Sequence, residues 1–279
     1  MDLITMKVDT LLLSGCSTKG NVMIGSLMTL VNNKIFDLEK INTYICCSGG
    51  AIIGLLMSCG YSLSFIYRLS FSIDYKTLLN IDDLNILFDK CGLFDNKVLL
   101  ELVEKLLYKK FKIKNITLKQ LYDKTGKIFT VKVFNLTEKK TEYISYKTHP
   151  NLSVSKSIQM TTCIPVLFKP VKYNKNYYLD GGLTGNMVYS QDHKNYIGIY
   201  ITTRCECDIE NINMIDYIQL LSNSIFEKYD FDVKNNQRIV NLDIFNDSCF
   251  NFDIDVEKKN IFIKKSIEYT LNHIKKYKL

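Results

Sequence analysis

Short apolar runs of strand length alternate along this chain with stretches whose apolar positions recur at helical spacing. Thr10-Leu11-Leu12-Leu13 reads as a strand and Asn21 to Met28 as the start of a helix. Ile41 to Cys47, with its β-branched and aromatic residues, reads as a second, buried strand. A helix follows from Ala51. Leu99, Leu100, Leu102, Val103, Leu106 and Leu107 form a helical stripe that Asp95 is placed to cap. Lys127 to Phe134 predicts a strand, Lys139-Lys140 a turn, and Glu142 to Ser145 the strand beyond it. Asn195 to Ile201 and Arg238 to Phe245 predict further strands, with helices over Met214 to Lys228 and Val256 to Lys276. This alternation implies an α/β three-layer sandwich, with a mainly parallel central sheet and helices on both faces. No Pro/Gly/Ser-rich linker or internal repeat divides the chain, so one domain over 1–279 is expected.

Three small-residue segments carry the candidate chemistry. Cys46-Cys47-Ser48-Gly49-Gly50 sits where the second strand must turn sharply into its helix. This is the nucleophile-elbow arrangement, in which small residues two before and two after the serine let strand and helix approach. Gly50 satisfies one of these positions, and Cys46 fills the other with a residue larger than glycine. After the first strand, Ser14-Gly15-Cys16-Ser17-Thr18-Lys19-Gly20 is a glycine-bearing turn into a helix N-terminus. Such a turn aims backbone N–H groups and a helix dipole at one spot, which suits an anion such as the oxyanion of a tetrahedral intermediate. An ordinary strand-to-helix loop and a phosphate-cradling loop are the competing readings. Glycines at 15, 20 and 25 miss the dinucleotide spacing, and Lys19-Gly20-Asn21 reverses the order of a Walker loop. Asp180-Gly181-Gly182 offers a carboxylate as general base, although Asp-Gly after Tyr177-Tyr178-Leu179 is also a hairpin signal.

In this order the segments resemble the patatin-like phospholipase family. Its members carry a Gly-Gly-Gly-x-Lys/Arg-Gly turn, then Gly-x-Ser-x-Gly, then Asp-Gly-Gly or Asp-Gly-Ala. Ser157 to Val171, with Pro165, Phe168 and Pro170, is similar to the family's Ser-x-Ala-x-Pro-x-x-Phe-x-Pro segment; Gly92-Leu93-Phe94-Asp95 and Ile116 to Tyr122 are weaker echoes. The likeness runs from about Leu11 to at least Asn186. It implies a patatin-like fold and a Ser–Asp dyad, in which Ser48 attacks an ester carbonyl and Asp180 takes its proton and returns it to the leaving alcohol. It also implies an oxyanion hole at Gly15, Cys16, Ser17 and Thr18, with Lys19, Gly20, Gly49, Gly50, Gly181 and Gly182 completing the motifs. The implied activity is hydrolysis of fatty-acyl esters of phospholipid or another acyl lipid, without metal or cofactor. Aspartate near its reference pKa of about 3.9 is a weak base, and burial would raise it toward a useful range. Cys16, Ser17 and Cys46 stand where the family has glycine, and a side chain is strained wherever φ must be positive. These departures sustain a second reading, a catalytically impaired member acting as a lipid-binding or interaction module.

Ser48, Asp180 and His193 also follow the Ser, Asp, His order of α/β-hydrolases. His149 precedes Pro150 in a turn, His193 lies in the polar stretch Ser190 to Lys194, and His273 is on the basic terminal helix. Each reads as structural or solvated, and the dyad is preferred.

The hydrophobic fraction of 47% and charged fraction of 23% are those of a soluble protein. No apolar run approaches the roughly 20 residues that span a bilayer, and Met1-Asp2-Leu3-Ile4-Thr5 lacks the features of a secretory signal. Nine cysteines without framework spacing suit a reducing, cytoplasmic compartment. Cys205-Glu206-Cys207 lacks a second ligand pair for zinc. The net charge of +7 comes from lysine, with Lys258, Lys259, Lys264, Lys265, Lys275 and Lys276 expected on the solvated face of the terminal helix. Opposite them stand Ile261, Phe262, Ile267, Leu271 and Ile274. The lysines also suit electrostatic attraction to anionic lipid and hence peripheral membrane association, whereas no nucleic-acid-binding motif accompanies them. Tyr61 to Tyr75 reads as buried core, with an apolar lip for acyl chains as the other reading.

Overall fold

The computed structural model describes residues 6–78, 92–94, 96–189, 194–202, 236–243 and 253–279, with the single positions 210, 212, 217, 220 and 233. Strand β1 (Thr10–Leu13) leads into α1 (Gly20–Asn32), and β2 (Thr43–Cys47) into α2 (Ser48–Ser58). Then come α3 (Leu63–Ser72), the short β3 (Gly92–Phe94), α4 (Lys97–Phe111) and α5 (Leu118–Thr125). The hairpin β4 (Ile128–Asn135) and β5 (Lys140–Ile144) is followed by α6 (Val154–Thr161). Strands β6 (Val166–Phe168), β7 (Val171–Tyr173), β8 (Asn176–Asp180), β9 (Tyr196–Ile201) and β10 (Ile239–Leu242) precede α7 (Val256–Tyr277).

The main sheet has the order β10-β9-β1-β2-β4-β8-β7, with β5 also on β4. The pairs from β10 to β4 are parallel, and β5, β7 and β8 join antiparallel, which makes a mixed, mainly parallel α/β sheet. Successive strand residues point to opposite faces. Leu11, Leu13, Tyr44, Cys46, Ile197 and Ile199 enter the large core that the helices share, while Leu12, Ile45, Cys47 and Tyr200 enter a smaller cluster with Met187 and Val188. Burial on both faces is why these strands read as continuous apolar runs. A separate two-stranded sheet pairs β3 with β6; three-residue strands are too short for periodicity to reveal.

Register along β4 decides which loops meet. Lys132 pairs with Cys47 at the end of β2, and Val133 with Asp180 at the end of β8, while Val131 to Asn135 pair with β5. A strand has two edges, so β2 and β8 share one edge of β4, run toward each other and meet end to end.

Two expectations need correction. α4 starts at Lys97 with Asn96 at its N-cap position; Asp95 lies outside the described residues, as do Cys205, Cys207, His193 and nearly all of the helix expected over Met214 to Lys228. On α7, Lys259 is 2% exposed rather than solvated. Its ammonium donates to the carbonyls of Ser70 (3.1 Å), Phe71 (3.3 Å) and Ile73 (2.6 Å), which satisfies carbonyls left open at the C-terminal end of α3. Ile261, Ile267 and Leu271 are exposed instead. The inward face carries Phe262, Ser266 and Thr270, because α7 approaches α1 closely: Thr270 Oγ1 donates to Ser26 Oγ at 2.9 Å, and a methyl group at Gly25 would overlap Ser266 Oγ. Among the described residues no helix is long and apolar enough to cross a membrane.

Candidate active site

Ser48 opens α2 directly from β2 with φ 49°, in the left-handed region. For a non-glycine residue this conformation costs roughly 1–2 kcal/mol, and such strain marks functional turns. The reversal carries the side chain across to β8, where Ser48 Oγ donates to Asp180 Oδ2 at 2.6 Å. Asp180 Oδ1 accepts the Gly182 N–H at 2.7 Å, with the Cys47 thiol at 3.8 Å. Ser48 N–H donates to Thr161 Oγ1 at 2.9 Å, and that hydroxyl donates to the Lys132 carbonyl at 2.7 Å. Ser48 is 7% and Asp180 4% exposed. Burial pushes the Asp180 carboxyl up to about 6, against the opposing pull of the Ser48, Gly182 and Cys47 hydrogen bonds and of the Lys132 charge.

The glycines of the elbow are set by close approach. A methyl group at Gly50 would overlap the Ser14 carbonyl, and one at Gly49 would lie 2.7 Å from Cys16 Sγ and 2.9 Å from the Ser17 carbonyl oxygen. The turn after β1 therefore rests directly on the residue following Ser48. Lys19, buried, closes that turn with its N–H on the Cys16 carbonyl at 2.8 Å, and Gly20 begins α1. Ser17 has φ 46°, so one of the two replaced turn glycines stands at a left-handed position; Cys16 does not. Gly15 departs from the expected donor set. Its N–H donates to the Asn186 carbonyl at 3.1 Å and is therefore already engaged.

A cavity of about 150 Å³ opens beside Ser48 and Gly49. Its walls are apolar, with Ile53 and Leu56 from α2, Ile66 and Leu69 from α3, and Leu99, Leu102, Val103 and Leu106 from α4. Tyr61, Ile73 and Tyr75 also line it, so part of the stretch expected to be core forms cavity wall instead. Burial pushes the Cys16, Cys46, Cys47 and Cys163 thiols up, so all four are neutral at physiological pH.

No histidine among the described residues touches Ser48 or Asp180: His149 meets Thr148 and Tyr173, and His273 meets the Gln237 carbonyl and Tyr277. No group of three metal-ligating side chains occurs among the described residues. Sequence reasoning missed Thr161 and Lys132 as neighbours of the site. The one signal for Lys132 was a charge inside the apolar run of β4.

A patatin-like phospholipase model matches residues 11–191, and the chain belongs to that family. It is 34% identical over 179 residues to a probable lipid hydrolase of Invertebrate iridescent virus 6, a match spanning 63% of this chain and 60% of that protein. It is 29% identical over 224 residues to an uncharacterized protein of Acanthamoeba polyphaga mimivirus, covering 76% and 74% of the two chains. In fold it is similar to VipD from Legionella pneumophila, with a TM-score of 0.65 and 16% identity over 97% of this chain and 67% of that one. It is also similar to ExoU from Pseudomonas aeruginosa, with a TM-score of 0.57 and 15% identity over 98% of this chain and 52% of that one.

Proposed function

We propose that this protein is a lipid acyl hydrolase cleaving fatty-acyl esters of phospholipids, with Ser48 as nucleophile and Asp180 as general base and acid. The observation that carries the reading is the 2.6 Å hydrogen bond from Ser48 Oγ to Asp180 Oδ2 beside an apolar cavity. Family membership and the viral relative's description as a lipid hydrolase support it. Ser48 Oγ attacks the ester carbonyl while its proton passes to Asp180. The oxyanion is held by backbone N–H groups within Cys16 to Thr18. Asp180 then protonates the leaving alcohol, and water, deprotonated by the same carboxylate, hydrolyses the acyl-enzyme. The cavity accepts the acyl chain, and the exposed Lys264, Lys265, Lys275 and Lys276 suit approach to an anionic lipid surface. One domain is consistent with β9 and β10 extending the sheet that holds the site, and with α7 packing on α1.

Fluorophosphonate labelling, paired with fatty-acid release from phosphatidylcholine vesicles, tests this reading. Labelling and release in the wild type, both lost in Ser48→Ala, are expected. A folded wild type that takes no label would instead favour a lipid-binding protein without turnover.

A further inference from the structure

Lys132 stands on β4 with 4% exposure, although taking an ammonium out of water is costly unless it is hydrogen-bonded. Its Nζ donates to three carbonyl oxygens, of Thr184 at 3.1 Å, Gly185 at 2.6 Å and Met187 at 3.1 Å. All three belong to the loop that leaves Asp180. The same loop carries Asn186, whose carbonyl accepts the Gly15 N–H. Lys132 also reaches the nucleophile through its main chain, since its carbonyl accepts the Thr161 hydroxyl that holds Ser48 N–H. Gly181 lies against that carbonyl so closely that a methyl group there would overlap it.

We propose that Lys132 is a positioning residue for the Ser48–Asp180 pair, fixing the loop over 184–187 and holding a positive charge that acts on the Asp180 carboxylate. This rests on the reading of Ser48 and Asp180 as a dyad. Among the described residues, the titratable groups that act on Asp180 or are acted on by it are Lys132 from β4, Cys47 from β2, Cys16 from the turn after β1 and Cys163 after α6. Burial keeps the three thiols neutral, so Lys132 supplies the charge that favours the ionised base. Removing that charge raises the Asp180 pKa and moves the acid limb of activity to higher pH. Loss of packing alone lowers the rate equally at every pH.

The test is the second-order rate of fluorophosphonate labelling from pH 4.5 to 9 for wild type, Lys132→Met, Lys132→Gln and Lys132→Arg, with Ser48→Ala and Asp180→Asn alongside. The neutral variants are expected to shift the acid limb measurably to higher pH and to lower kcat toward an ester substrate more than they change KM. Lys132→Arg, keeping the charge, should return the limb to the wild-type position even where its rate is reduced. An acid limb that stays put in folded Lys132→Met or Lys132→Gln would overturn the proposal. So would failure of both neutral variants to fold, which assigns Lys132 to the stability of the sheet. Ser48→Ala and Asp180→Asn separate the two levels: if either labels as fast as wild type, the dyad itself fails. If both are silent and the limb is unmoved, only the role of Lys132 fails.

Discussion

Cys46 and Gly54 divide one space between them: the Cys46 sulfur occupies the position that a side chain at residue 54 would need. Cys46 stands at the elbow position where the family motif has glycine, and α2 makes room for it one turn after the elbow. Gly54→Ala should therefore destabilise the protein by about 1–3 kcal/mol through overpacking, although alanine is otherwise preferred to glycine inside a helix. Adding Cys46→Gly should recover most of that loss. Denaturant unfolding of the two single mutants and the double mutant measures the coupling, and additive effects would show that the two positions do not share the space.

Ser17 is a side chain at a left-handed position in the turn, with φ 46°. Ser17→Gly should raise stability by about 1 kcal/mol and leave the backbone donors in place, so kcat should hold or rise. The melting temperature and the rate together check this. A fall in kcat without loss of stability would mean that the serine hydroxyl takes part in the site.

Asp180 binds its proton more tightly in the folded protein, at about 6, than in the unfolded chain, near 3.9. Two consequences differ in sign. With Asp180 as the proposed general base, activity needs the carboxylate, and kcat/KM should fall below pH 6. Stability runs the other way: between these two pKa values the folded state holds more protons, so the contribution is full below about pH 4 and is lost as pH rises through 6. Asp180→Asn should be inactive yet more stable than wild type at pH 8, by at most about 3 kcal/mol. That advantage should shrink toward pH 4. Thermal unfolding at both pH values decides it, and an equal or lower stability of the mutant at pH 8 would argue against a desolvated carboxylate.

Leu106 lines the cavity from α4 while staying half-buried, so a larger side chain there has room to be tolerated. Leu106→Trp should cut activity on long-chain esters by about tenfold, a loss of roughly 1.4 kcal/mol in transition-state binding, and leave short-chain esters nearly unaffected. A chain-length series of esters checks the split. Equal loss across the series would place the acyl chain elsewhere.

Much of this protein was legible in the chain itself. The strands around the site are buried on both faces, so β1, β2, β4 and β9 announce themselves as apolar runs, and the elbow, the turn and Asp180-Gly181-Gly182 combine small residues with chemistry in a recognisable order. What the local pattern could not supply was which groups confront each other. Ser48 and Asp180 are 132 residues apart, and they meet because β2 and β8 end against each other on β4, a matter of register. Local sequence also misassigned Lys259 and missed Lys132. A lysine reads as solvated unless the carbonyls that bind it are known, and those carbonyls come from residues that only chain folding delivers. Gly15 is the reverse case: its N–H looked available until Asn186, far along the sequence, claimed it. Side-chain type and periodicity determine which elements form and which groups can do chemistry. Burial, partners and pKa are properties of the assembled environment, and only the tertiary structure decided them.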